Sequence, residues 1–385
     1  MKRRDFFKVA AAAGVSYAAS PVIRAADNSL IASANQEVET NIADASKTPR
    51  VAGSMPGRFP GRVVKCINGK SVSAEGEHNP EVIYDMLAKS MLALTGKDNL
   101  PDAWRMFVSP EDIIDLKVNP VAGRLLTTSH AVTKSVVRQL EEAGIPRNNI
   151  VIWDRREMQL HETGYTQENY PGITITGTEC MDQKGGFYDN EGKLYSQGRI
   201  DKEHYFYANL EGEYDDYTIP YMVNGGKYSY FTSIVTQKVT KIINLPILKN
   251  AGPTTTLCLK NLSFGSVTNT GRLHQLWHET CAYVCAFAPL RDKVVLNIAD
   301  GITGCFEGGP SAKPQYICNY NMLLVGTDPV AVDRVGHDVV IAKRIGMGIQ
   351  QEDKPSASRF LDLAQELKLG IGKREQIKTE ELLLG

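Results

Sequence analysis

The chain has 385 residues, 42% of them hydrophobic and 23% charged, with a formal net charge of -1. This is the composition of a folded, water-soluble protein, and the near-neutral balance gives no electrostatic basis for binding nucleic acid or an anionic membrane. The length exceeds what one compact core usually covers, so one large α/β unit or two lobes are expected.

Residues 1–26 read as a targeting segment. Lys2, Arg3, Arg4, Asp5, Phe6, Phe7 and Lys8 resemble a twin-arginine export signal, and a weakly apolar stretch and an alanine-ended site at Ala25 or Ala26 follow. The apolar stretch is too short to span a bilayer, so no transmembrane segment is expected. Export of the folded protein by the twin-arginine machinery to the periplasm or beyond is expected; the alternative is a basic start that stays in the cytoplasm. Residues 27–60 are polar, end in GSMPGRFPGR and lack an apolar period, so an extended arm is expected.

The α/β domain is expected over residues 61–385. A strand is predicted over 62–67, and a helix from Asn79-Pro80 to Thr95 with Val82, Ile83, Met86, Leu87 and Met91 on one face. The strand over 112–118 ends in Lys117, Asn119 and Pro120. A helix over 129–143, capped by Ser129 and stopped by Gly144, leads to a strand over 149–153 that ends at Asp154. Strand, helix and strand of these lengths make a βαβ unit with parallel pairing. In open parallel sheets, ligands bind beyond the C-terminal ends of strands, which makes Lys117, Asn119 and Asp154 site candidates. A solvated strand end for Lys117 and a helix cap for Asp154 are the plainer alternatives. Nine of the 16 tyrosines fall in residues 183–230 among Gly, Asp and Asn, which points to an antiparallel insertion or lid.

The stretch 240–279 carries most of the chemistry. An apolar strand over 240–248 delivers Lys249 and Asn250 at its end, Gly252-Pro253 breaks the chain, and a helix from Thr254 carries Lys260 and Asn261 and ends at Gly265. His274 and His278 are four apart, which on a helix sets both imidazoles on one face as candidate metal ligands. Half-buried polar residues are the alternative for the histidines, whereas a buried lysine needs a negative partner. Downstream, a strand over 294–298 delivers Asp300, and Gly304, Gly308, Gly309 and Pro310 suit a loop that cradles an anion, without the P-loop or dinucleotide spacings. A strand over 322–325 precedes Asp328-Pro329, a cap and first-turn pair for a helix to Ile345. On that helix Asp333 is a candidate partner for a lysine, and an amphipathic helix over 361–369 is expected to close the chain. The seven cysteines include no CxxC, so no zinc ribbon or iron–sulfur cluster is supported. Cys281 and Cys285 are expected to be buried, and Cys305 and Cys318 could bridge in an oxidising compartment.

The order INLPILK, LKN, a later His, VVLNIADGITG with GGP, then LLVGTDPVAVD resembles the DUF362 family, bacterial and archaeal proteins named for lacking an assigned function. The resemblance runs from about residue 115 to residue 346, and the strand bearing Lys117 and Asn119 recurs in the family. Asn250 stands where the family usually has a histidine. The order Asn250, Lys260, then His274 or His278 is also similar to the nickel-pincer lactate racemases, which implies a metal or nickel-type cofactor. The expected site is a cationic pocket in which Lys117, Lys249, Lys260 and Asp300 do chemistry. Asn119, Asn250, Asn261, Gly309 and Asp333 would hold a ligand or cofactor, and His274 and His278 a metal. An enzyme or cofactor-binding protein acting on a small anionic molecule is expected, with a non-catalytic periplasmic binding protein as the alternative. Arg3→Lys with Arg4→Lys is expected to leave the protein in the cytoplasm, because the export receptor reads the arginine pair; cell fractionation with immunoblotting checks this.

Overall fold

The βαβ unit expected at the N-terminal side is present in the computed structural model, which describes residues 38–179, 199–211, 226–350 and 352–385. The targeting segment lies outside the described residues, as does part of the Tyr-rich insertion. Residues Thr40–Gly385 form one compact unit. It begins with β1 (Arg62–Ile67), α1 (Pro80–Thr95) and α2 (Leu100–Arg105). Asn79 caps α1 by accepting from the Val82 amide, and Gly96 ends it in the left-handed conformation. Ile83, Met86, Leu87, Met91 and Leu94 then face the core at helical spacing. Next come β2 (Ile114–Lys117), α3 (His130–Glu142), β3 (Ile150–Arg156), α4 (Glu157–Glu162) and β4 (Thr174–Glu179), with β2, β3 and β4 parallel to one another.

β5 (Ile200–Tyr207) and β6 (Tyr228–Thr232) form a separate antiparallel pair, as expected for the insertion. Phe206 and Phe231 pack against Phe287, while Tyr228 stacks on Tyr230 and meets Tyr205 and Tyr207 in tilted contacts. The chain continues through β7 (Lys241–Asn244), β8 (Ile247–Ala251), β9 (Thr254–Thr256), α5 (Cys258–Ser266), α6 (Trp277–Ala286), α7 (Ala288–Arg291) and β10 (Val294–Gly309). It ends with β11 (Ile317–Cys318), β12 (Met322–Gly326), α8 (Pro329–Gly346), α9 (Arg359–Glu366) and β13 (Lys378–Leu383). The main sheet has 11 strands in the order β13-β1-β12-β10-β7-β2-β3-β4, with β8 and β11 attached at β10 and β9 paired to β8. No helix among the described residues is long and apolar enough to cross a membrane.

Several local expectations are corrected. The single strand over 240–248 is divided at Pro246, which has no amide hydrogen for a ladder. β7 inserts between β2 and β10, whereas β8 moves along β10 and turns back into β9 at Gly252, whose φ is 75°. Thr254–Thr256 is therefore a strand, as β-branched residues favour, and the helix begins at Cys258. It begins there because the Asp333 carboxylate accepts from the Cys258 and Leu259 amides, so Asp333 is a helix cap and pairs no lysine. Asp328 caps α8, as expected. The glycine-rich segment is no anion cradle, since it continues the strand β10. A Cβ on Gly304 would lie 2.3 Å from the Leu248 carbonyl oxygen, and one on Gly309 would lie 2.5 Å from the Ala251 Cβ. Those glycines let β8 lie against β10.

The chain closes on β13, paired in parallel with β1, and not on the amphipathic helix, which spans Arg359–Glu366. Cys281 and Cys285 are buried, as expected. Cys305 and Cys318 are free, because Cys305 lies opposite Ile317 and Gly304 opposite Cys318, so the two thiols leave opposite faces of the ladder. Gly304→Ala is expected to cost about 1–3 kcal/mol of stability through overpacking. Gly346→Ala, where a Cβ meets nothing within 4 Å, should be near neutral; urea unfolding of both variants checks the contrast.

Candidate functional site

Lys117 ends β2 with its side chain wholly buried. Its ammonium pairs with Asp154 at the end of β3 and donates to Val118 O at 2.9 Å and to Asn261 Oδ1 at 3.2 Å. It also lies 5.1 Å from the Trp153 ring centre. A Cβ at position 265 would come within 2.4 Å of Lys117 Cε, so Gly265 does not end α5 but sits inside it, making room for this lysine.

Asn261, on the first turn of α5, joins the lysine to the strand ends. Its amide nitrogen donates to Lys117 O at 3.1 Å and to Asn244 Oδ1 at 2.8 Å, while its oxygen accepts from Asn119 Nδ2 at 2.8 Å. Asn119 Oδ1 in turn accepts from Lys249 Nζ at 2.8 Å. A continuous polar chain therefore runs Asp154, Lys117, Asn261, Asn119, Lys249, from the buried ion pair to a cleft of about 230 Å³. The cleft lies at the C-terminal ends of the parallel strands, the place where open α/β sheets bind ligands. Asp154, Arg155, Lys249, Thr256, Lys260, Phe264, Thr270 and His274 line it, with Pro246 and Pro310 at its margin.

The electrostatics are lopsided. Arg155 and Arg156 pair with Glu179 at 3.3 and 3.0 Å, and Asp154 pairs with Lys117. Lys249 and Lys260 have no carboxylate within ion-pair distance among the described residues. Lys260 lies against the Phe264 and Trp277 rings at 5.2 and 5.6 Å, a cation–π seat in place of a counter-ion. Burial first, and then the Lys260 charge, pull Lys249 down from its ordinary 10.5 to about 7. Burial also lowers Lys260, and burial followed by the Lys260 charge lowers His274. The His274 ring packs on Phe264 at 4.8 Å, and its Nδ1–H donates to Thr270 O and Gly271 O at 3.1 Å.

Lys117, Asn119, Lys249, Lys260, Asn261 and His274 thus meet at one cleft or directly behind it. The other candidates do not. Asp300 is buried away from the lining, where it accepts from the Ser129 amide at 2.7 Å and the Ile302 amide at 3.0 Å and so holds the start of α3. Asn250 follows Lys249 on a strand and so leaves the opposite face, where its amide, oriented to satisfy both atoms, would accept from Arg344 Nη1 at 3.0 Å and donate to Thr254 O at 3.3 Å. Gly309 packs on Ala251 and Asp333 caps α5, so neither holds a ligand in the cleft. His274 belongs to a 3-10 turn, Arg272–Leu276, and His278 to α6, so the helical spacing that would align them is not realised. His278 stacks on Phe360 at 6.2 Å, outside the cleft. Among the described residues no three His, Cys, Asp or Glu side chains gather to hold a metal. Asn250 and His278 turn elsewhere, so of the residue order shared with the nickel-pincer enzymes only Lys260 and His274 line the cleft together, and a cationic lining does not fit a bare metal cation. Arg155 and Arg156 were not among the candidates; their sequence signal is their place directly after Asp154, in WDRR at a strand end.

The family model described as a domain of unknown function, DUF362, matches residues 206–338. That span holds Lys249, Lys260 and Asn261 but not Lys117 or Asp154, and it is narrower than the resemblance read from the motifs. No curated protein gives a significant match. Among solved structures, this chain is similar to a protein from Thermotoga maritima with a TM-score of 0.37 and 9% identity, over 69% of this chain and 59% of that one.

Asp154→Ala leaves a buried ammonium facing neutral oxygens and is expected to cost about 3–5 kcal/mol. Lys117→Met combined with Asp154→Leu should cost less than Asp154→Ala, because no uncompensated charge stays buried. Urea unfolding of the single and double variants checks both statements.

Proposed function

We propose that the Thr40–Gly385 unit binds a small anionic molecule in this cleft and acts on it as an enzyme, with Lys249 and Lys260 as the working groups. The observation that carries the reading is that a buried amine, Lys249, and a partly buried one, Lys260, share one cleft and neither has a carboxylate partner among the described residues. Burying unpaired cations is costly, and an anion that enters supplies the missing counter-charge through charge-assisted hydrogen bonds. The amine of Lys249, near 7, exchanges protons at neutral pH, as a general acid or base must, and Asn119 holds its nitrogen in place. The Lys117–Asp154 pair fixes Asn261 and through it Asn119, so the buried pair positions the working lysine. We further propose, on the Lys2–Lys8 motif alone, that the chain is exported by the twin-arginine route and works outside the cytoplasm.

Calorimetric titration with phosphate, acetate and malonate tests the reading. At least one of these anions is expected to bind, more tightly as pH falls through about 7, where Lys249 gains its proton. No binding by any of them at pH 6 would defeat it. Stability without anion should run the other way. Between about 7 and 10.5 the unfolded chain holds the Lys249 proton and the folded one does not, so stability rises with pH across that window. Lys249→Met is expected to reduce that slope and to raise stability near pH 6.5, because it removes a buried cation that has no carboxylate partner among the described residues. Thermal unfolding across pH checks this.

A further inference from the structure

Three lysines surround this site, and the structure treats them differently. Lys117 is buried, paired with Asp154 and bonded to two further oxygens, so its nitrogen is fully engaged. Lys260 is seated over two aromatic rings at the more open part of the cleft. Lys249 is buried too, but its ammonium nitrogen makes a single hydrogen bond among the described residues, to the neutral amide oxygen of Asn119 at 2.8 Å. A neutral amine donating one hydrogen to Asn119 still has a lone pair available to whatever fills the cleft.

We infer that Lys249 is a nucleophile that forms a Schiff base with the carbonyl carbon of a small acidic aldehyde or ketone, such as a 2-oxo acid, whose carboxylate is held by Lys260. This rests on the anion-binding reading and adds to it the substrate class and the covalent step. A lysine becomes nucleophilic at neutral pH when it is desolvated or lies beside another cation, and Lys249 meets both conditions. Lys260 serves twice, since its charge disfavours protonation of Lys249 and its ammonium pairs with the substrate acid. The cleft, at about 230 Å³, is smaller than the ~300–1,000 Å³ of pockets for drug-sized ligands, which suits a molecule of a few carbons. Phe264 lines it and supplies apolar contact for a short carbon chain.

The step balances without a further reactant. The neutral amine nitrogen attacks the carbonyl carbon; an N–C bond forms and the carbonyl π pair moves to oxygen, which takes a proton from solvent as nitrogen releases one to it. Loss of that oxygen as water then breaks the C–O bond and leaves the imine, so one amine and one carbonyl give one imine and one water.

Borohydride trapping of the full chain tests the inference. With pyruvate or glyoxylate as probe, reduction is expected to add one stable adduct per chain, mapped by peptide mass spectrometry to Lys249. The yield with propanal, which lacks the acid, is expected to be lower. Lys260→Met should cut trapping about tenfold, the loss of one charge-assisted contact. Calorimetry with acetate on the same preparation separates the two readings. Acetate binding without any borohydride-dependent adduct overturns the Schiff base and leaves anion binding standing, whereas failure of both overturns both. An adduct on Lys260 or on scattered surface lysines also overturns it. Because the wild-type peptide map locates the adduct directly, the test holds even where Lys249→Met misfolds.

Discussion

The buried pair of Lys117 and Asp154 is the constraint from which the site follows. A pair fully removed from water is held only if its remaining donors and acceptors are satisfied. Val118 O and Asn261 Oδ1 take the other hydrogens of the ammonium. Asn261 is thereby fixed against β2, and its second contact, to Asn244, ties α5 to β7. One ion pair therefore locks two strand ends and one helix at a common point, and Gly265 is the local concession that admits the lysine.

The cleft itself comes from a break in the sheet. β7 and β8 would form one long strand if Pro246 and the run of β10 allowed it. Instead the chain leaves the row between β2 and β10, and β8 climbs along the extended part of β10. That departure opens the space between the end of β3 and the β8–β9 hairpin. It also lifts Lys249 over the polar chain, where Asn119 can reach it. The surplus of positive charge is a consequence of this assembly, since the carboxylates Asp154 and Glu179 are already committed to Lys117 and to Arg155 and Arg156.

The chain thus shows two uses for the same residue type, separated by what each is packed against. Lys117 is a structural cation because a carboxylate of a neighbouring strand lies within reach. Lys249 differs in that its hydrogen-bond partner is a neutral amide and the charge that acts on it most strongly is another lysine. Lys260 avoids the cost of burial by lying over aromatic faces.

Much of this was legible in the residue order. Apolar runs closed by polar residues marked the strand ends, so Lys117, Asn119, Asp154 and Lys249 could be placed at the ligand-binding edge before any coordinates. Helix caps and stops at Asn79, Ser129, Gly144 and Asp328 were equally plain, because each depends on a few neighbouring residues. What failed was whatever depends on partners distant in the chain. Asp300 ends an apolar run much as Lys117 does, yet it turns to the Ser129 amide, because β10 runs on past it and the start of α3 lies there. Asn250 is next to Lys249 in sequence and on the opposite face in space, since the register of β8 on β10 set which of the two looks into the cleft. His274 and His278 had the right spacing for one helix and lie on two different turns. Sequence alone determined which residues end strands and helices, because local backbone preference and apolar period are written in neighbouring residues; only the tertiary structure decided which ends meet, because strand register and pairing are set by contacts far apart along the chain.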